Sequence, residues 1–150
     1  FIDPYANTIQ YASAGHPPAF LITEHGEMHT RLGSTGLPLG CGRSCDYELE
    51  SVVASPDDVL LLYTDGVTDA VKHGLRLEVE GLHKMVFESG EKAGARIIER
   101  LSEQLSKDFD SSRKDDVALL AISFEAATAA TNAAGGDLGG KQCSVAAGAG

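Results

Sequence analysis

Apolar and polar positions alternate in short blocks along most of this chain, and one block breaks the pattern. Val59, Leu60, Leu61 and Leu62 run without interruption into Tyr63 and Thr64. A continuous apolar run of β-formers predicts a strand buried on both faces. Asp65-Gly66 ends it. Val67 to Lys72 then reads as a short helical turn, with Gly74 placed to stop it. Asp65 therefore stands at the end of a rigid, buried strand. A hairpin turn is the plain reading of such an Asp-Gly pair, and a carboxylate aimed into a cleft is the functional one.

The blocks before it are shorter. Phe1 to Pro4 reads as the end of a strand entering a turn, so the domain is expected to begin inside an element. Thr8 to Ala12 alternates like a half-buried strand. Ser13 to Pro18 is a turn, and Ala19 to Thr23 a strand that a hairpin at His25-Gly26-Glu27 returns through Met28 to Leu32. His25 and His29 read as exposed turn residues. The glycine-rich stretch Ser34 to Gly42 lacks a Lys-Ser/Thr ending and a GxGxxG pattern, so it reads as a structural loop. Tyr47 to Val53 alternates again. Ser55-Pro56-Asp57-Asp58 turns the chain into the central strand, which puts Asp57 and Asp58 at the end opposite Asp65.

Beyond Gly74 the period lengthens. Leu77, Leu82, Met85 and Val86 fall at helical spacing, weakened by Gly81 by about 1 kcal/mol relative to Ala. Glu91 to Phe109 is the best helix: Gly94, Ile97, Ile98, Leu101, Leu105 and Phe109 share a face that reads as core packing. A polar loop, Ser111 to Lys114, leads through Asp115-Asp116 into the apolar strand Val117 to Phe124. Residues 125–150 hold nine Ala and six Gly, with only Leu138 and Val145 suited to a core. Burial there cannot offset ordering entropy, so a disordered tail is expected, with a short helical start near Ala126 to Ala130 as the option.

Composition narrows the function. The chain, 150 residues long, is expected to form one domain. A net charge of −10 disfavours nucleic acid and anionic membranes as partners and is compatible with a cation site. No run approaches the roughly 20 apolar residues of a membrane span. Three cysteines, Cys41, Cys45 and Cys143, form no set of close pairs, which suggests a reducing, cytoplasmic location. Cys41 and Cys45 have zinc-like spacing, but no second pair or nearby downstream His completes a site.

The two acidic blocks carry the chemistry. Asp65 leaves the C-terminal end of one apolar strand, and Asp115 precedes the N-terminal end of another. If those strands are antiparallel neighbours, the two carboxylates converge from rigid supports. Mg²⁺ and Mn²⁺ take such oxygen ligands and complete their shells with water. On spacing alone, two unrelated surface turns explain the same residues equally well.

Four blocks in register resemble a known family. YASAGHPPAFL (Tyr11 to Leu21), STGLPLG (Ser34 to Gly40), LLLYTDGVTDA (Leu60 to Ala70) and KDDVALLAI (Lys114 to Ile122) are similar to the signature blocks of the SpoIIE/RsbU-like branch of the PPM (PP2C-type) serine/threonine phosphatases. The resemblance covers about residues 1–124. It implies an α/β/β/α sandwich with mostly antiparallel sheets, an α+β arrangement in the broad sense. It also implies two Mn²⁺ or Mg²⁺ ions between the sheets and a bridging water that attacks phosphoserine or phosphothreonine. Asp65 and Asp115 match the family's metal-ligand positions. Ala118 stands where the last block usually has Thr or Ser. Asp69 occupies a position usually acidic, suited to a salt bridge or a helix-start charge. Asp116 reads first as a strand-start residue and second as a ligand.

The family's first metal block, a glycine-flanked Asp that bridges both ions, has no counterpart here. The resemblance therefore implies the C-terminal half of the phosphatase domain. That half alone is expected to be inactive and to show apolar edges where strands of the other half belong. The implied partner is a phosphorylated regulatory protein such as an anti-sigma factor antagonist. Two other readings stand beside it. A non-catalytic partner-binding module is one. A haloacid-dehalogenase-like nucleophile at Asp65 is the other, and Val67 occupies the place of its general acid.

Overall fold

The computed structural model describes residues 1–23, 28–42, 46–109, 115–125 and 143–149. In chain order the elements are β1 (Ile2–Asp3), β2 (Thr8–Tyr11), β3 (Ala19–Ile22), β4 (Met28–Leu32), β5 (Glu50–Val53), β6 (Val59–Tyr63), α1 (Asp65–Thr68), β7 (Val71–Lys72), β8 (Leu75–Arg76), α2 (Glu78–Ser89), α3 (Gly94–Asp108), β9 (Ala118–Phe124) and β10 (Cys143–Ala149). They form a three-stranded sheet, β1-β2-β5, a five-stranded sheet, β10-β9-β6-β3-β4, and the small hairpin β7-β8. All of these pairings are antiparallel.

The uninterrupted apolar run of β6 follows from its place in the middle of the larger sheet. Side chains alternate across a strand. Val59, Leu61 and Tyr63 join a core with Leu82 and Val86 of α2 and Ile97, Leu101 and Leu105 of α3. Leu60 faces the other way, into a core with Ile9, Leu21, Leu32, Ala54 and Phe124 between the two sheets. The described residues thus stack as small sheet, large sheet and helices, three layers of the expected α/β/β/α order. Helix α3 lies close on the sheet because residue 94 has no side chain. A Cβ there would stand 2.7 Å from the Ser123 hydroxyl and 3.1 Å from the Ala121 Cβ.

Three expectations change. The helical turn predicted for Val67 to Lys72 is instead α1 at Asp65–Thr68, followed by the β7-β8 hairpin. His73 and Gly74 both have positive φ, 53° and 80°, which is the backbone of a two-residue hairpin turn. Gly74 therefore turns a hairpin rather than stopping a helix. The strand expected from Tyr47 begins only at Glu50, because the Tyr47 hydroxyl bonds the Leu37 carbonyl at 2.9 Å and its ring crosses Gly36. In the Ala/Gly-rich segment expected to be a disordered tail, Cys143–Ala149 pairs with all seven residues of β9, while residues 126–142 and 150 lie outside the described residues. Its small residues allow close approach: a Cβ on Gly148 would stand 2.7 Å from Ile98 Cγ2 of α3. The polar loop at 111–114, the turn at 25–27, Cys45 and the helical start near 126–130 lie outside the described residues.

Candidate functional site

Strands β6 and β9 run antiparallel with Tyr63 opposite Leu119. The residues after Tyr63 and those before Leu119 consequently leave the sheet at the same end. Asp65, the first residue of α1, and Asp115-Asp116 come together there, and all three are exposed. Asp57 and Asp58 lie at the far end of β6. Asp57 adopts a positive φ of 70°, and the Asp58 carboxylate, buried, accepts a hydrogen bond from the Ser55 amide at 2.7 Å. Their expected role as turn residues is what the structure shows.

The approach of the two acidic segments depends on Gly66. A Cβ on it would collide with the Asp116 carbonyl oxygen and stand 3.1 Å from that of Asp115. Thr64 ties the segments from the other side. Its hydroxyl donates to the Asp116 carbonyl at 2.8 Å and accepts from the Ala118 amide at 3.0 Å. The turn itself is closed by the Asp69 amide on the Asp65 carbonyl, 2.7 Å, and by the Thr68 hydroxyl on the same oxygen, 3.0 Å. Asp69 caps α1 and forms an exposed ion pair with Arg76 at 3.1 Å. Such a pair stabilises little.

Among the described residues, no group of three or more His, Cys, Asp or Glu gathers at metal-holding distance. The donor set at this corner, carboxylates on anchored backbone, suits a hard divalent cation that keeps much of its water. It fits part of such an ion's shell. Beside the corner, a cavity of about 520 Å³ is lined by His16, Leu62, Thr64, Ala118 and Leu120, among others. His16 and Thr64 carry no periodicity or acidity, and the one signal for them is membership of the SAGHPP and TDG blocks. His16 is held by its loop: its Nδ1 donates to the Pro17 carbonyl at 2.8 Å. That loop docks on the Ser34–Gly40 loop through Gly15 amide to Ser34 hydroxyl, 2.8 Å, and Ser13 amide to Thr35 hydroxyl, 2.9 Å.

Known proteins resemble this chain in fold and sequence. The RsbU and RsbW domains of Rv1364c from Mycobacterium tuberculosis superpose with a TM-score of 0.60 at 31% identity, over 80% of this chain and 34% of that one. The SiaA-PP2C domain of Pseudomonas aeruginosa shares the fold, with a TM-score of 0.61 at 18% identity, over 80% of this chain and 47% of that one. In sequence, protein IcfG of Synechocystis is 30% identical over 124 residues, 81% of this chain and 19% of IcfG. Phosphoserine phosphatase RsbU of Bacillus subtilis is 29% identical over 112 residues, 75% of this chain and 33% of RsbU. The chain thus spans a third or less of these curated relatives. Residues 1–125 match the family model of stage II sporulation protein E, and the chain belongs to that family, the SpoIIE/RsbU-like branch of the PP2C-type phosphatases.

Proposed function

We propose that residues 1–124 are the C-terminal part of a metal-dependent protein serine/threonine phosphatase domain. Its substrate would be phosphoserine or phosphothreonine on a regulatory protein, of the anti-sigma antagonist type. Asp65 and Asp115 would serve as ligands to Mn²⁺ or Mg²⁺. Asp116 and Asp69 would be secondary acids, with Asp69 chiefly paired to Arg76. The observation that carries this reading is the meeting of Asp65 with Asp115 at one end of the β6–β9 pair, on backbone closed by Gly66.

When bound, the ion supplies an activated water and neutralises phosphoryl charge. The chain's own residues hold and orient. Carboxylates on Asp65 and Asp115 give the negative charge that keeps a hard cation in place. The backbone behind them is anchored in the five-stranded sheet, so little ordering remains to be done when the ion arrives. The neighbouring cavity is lined mostly by apolar side chains, Leu62 and Leu120 among them.

A second reading, a partner-binding module without turnover, draws on one observation. Among the described residues, no group of three or more His, Cys, Asp or Glu gathers at metal-holding distance. One assay separates the two: hydrolysis of an aryl phosphate and of a phosphoserine peptide with Mn²⁺, by this chain and by a longer chain carrying the upstream block. The phosphatase reading expects turnover only from the longer chain. Absence of turnover from both, with both folded, favours the partner-binding module.

A further inference from the structure

Thr64 stands between the two acidic segments without being acidic itself. Its amide donates to the Ala118 carbonyl at 3.1 Å, an ordinary continuation of the β6–β9 ladder. Its hydroxyl does something the ladder does not require. It donates to the Asp116 carbonyl at 2.8 Å and accepts from the Ala118 amide at 3.0 Å. One side chain therefore bonds both ends of the Asp116–Ala118 step. A hydroxyl has a single proton to donate, and here that proton is committed to the acidic segment. Threonine is stiff at χ1, so the two bonds are held in one geometry.

We infer that Thr64 is a positioning residue whose hydroxyl clasps the Asp115-Asp116 segment to the end of β6 and so sets the spacing between Asp65 and Asp115 for a divalent cation. The inference rests on the metal reading above. It adds a residue that touches no ion and yet governs how tightly one is held. Without the clasp, the segment leading into β9 would have to be ordered when the ion binds, and affinity would fall by that cost.

The test uses three variants of a longer chain that carries the upstream block, with Mn²⁺ alone, followed by the electron paramagnetic resonance signal of the free ion. Thr64→Val keeps the shape and removes the hydroxyl. Thr64→Ser restores the hydroxyl. Asp65→Asn tests the site itself. The expected result is loss of the ion in Asp65→Asn, about three- to tenfold weaker binding in Thr64→Val, and binding within about twofold of the parent in Thr64→Ser. Amide exchange without metal adds a second readout. Ala118 should exchange faster in Thr64→Val and not in Thr64→Ser, with Leu61 unchanged in both. Should Thr64→Val not fold, Thr64→Ala takes its place in the same comparison. Parent-like Mn²⁺ affinity in Thr64→Val, with the ion lost in Asp65→Asn, overturns the clasp and leaves the metal reading standing. Parent-like affinity in Asp65→Asn, or no uptake by the parent chain, overturns the metal reading and the clasp with it.

Discussion

Gly15 and Pro38 pack so closely that a Cβ on Gly15 would stand 2.6 Å from the proline Cγ. Gly15 also has a φ of 84°, a region that side chains rarely adopt. Two loops that look independent in the sequence, SAGHPP and STGLPLG, are thereby one unit, reinforced by a parallel bridge between Ala14 and Gly36.

Gly15→Ala is therefore expected to destabilise by about 1–3 kcal/mol, through both backbone strain and the collision. Pro38→Ala in the same chain should recover part of that loss and leave the backbone part. Thermal melts of the two single variants and the double variant measure the coupling. Full recovery in the double variant would show that strain at Gly15 is negligible.

Tyr63 offers a prediction about pH. Its ring is 3% exposed, packs 5.4 Å from that of Phe20, and its hydroxyl has no hydrogen-bond partner among the described residues. Burial pushes its pKa up to about 12 from the ordinary 10. The folded state thus holds a proton that the unfolded state releases, so this contribution to stability is present below pH 10 and lost as pH rises toward 12. Tyr63→Phe removes that loss, and at neutral pH it should be neutral or stabilising, since a buried hydroxyl without a partner costs free energy. Tyr11, also raised to about 12, by burial and by its bond to Glu50, leaves a residual alkaline slope. Denaturant midpoints at pH 8 and pH 11 for both chains check this. An unchanged slope in Tyr63→Phe would place the alkaline sensitivity elsewhere.

How much of this was legible in the chain depends on what each feature needs. Val59 to Tyr63 could be read because a strand covered on both faces must be apolar throughout. The convergence of Asp65 with Asp115 was conditional on strand neighbours, which periodicity does not give and the β6–β9 register does. The β7-β8 hairpin escaped because two-residue strands carry no period, and His73 does not advertise a positive φ as Asn would. Strand β10 escaped because Ala and Gly have no β pattern. Its pairing is a property of β9, whose edge it covers. Thr64 escaped because a clasp is defined by partners more than fifty residues away.

Strand β10 yields the third prediction. It pairs along the whole of β9, and Ala146 packs on the helix-side core. A chain ending at Glu125 would expose the β9 edge and the Ile98 side of α3. The expected loss is on the order of 1 kcal/mol or more, a fall of roughly 2–4 °C in Tm for each kcal/mol. An exposed edge also invites association, so sedimentation should accompany the melt. Identical melting and a monomer in both chains would return residues 126–150 to the disordered tail that their composition suggests.

The last prediction concerns the acidic corner. In a chain long enough to hold the complete domain, Asp65→Asn should abolish hydrolysis of a phosphoserine peptide and leave the fold intact. An amide matches the carboxylate in size but lacks the charge that holds a hard cation, and Asp65 is exposed, so packing is not disturbed. Asp115→Asn should behave alike, because it leaves the partner strand at the same corner. Asp57→Asn is the control, since residue 57 sits in the turn before β6, with its amide bonded to the Phe124 carbonyl at 2.6 Å. Asn tolerates the positive φ there as Asp does. The loss at the acidic corner should reach several kcal/mol of transition-state stabilisation, a factor of ten for each 1.36 kcal/mol or so. Rates against Mn²⁺ concentration for the three variants, with circular dichroism on each, make the comparison. Partial rescue of Asp115→Asn by high Mn²⁺ would identify weakened binding as the defect. Near-normal turnover in Asp65→Asn, or equal damage from Asp57→Asn, would mean that catalysis sits at the other end of the strand.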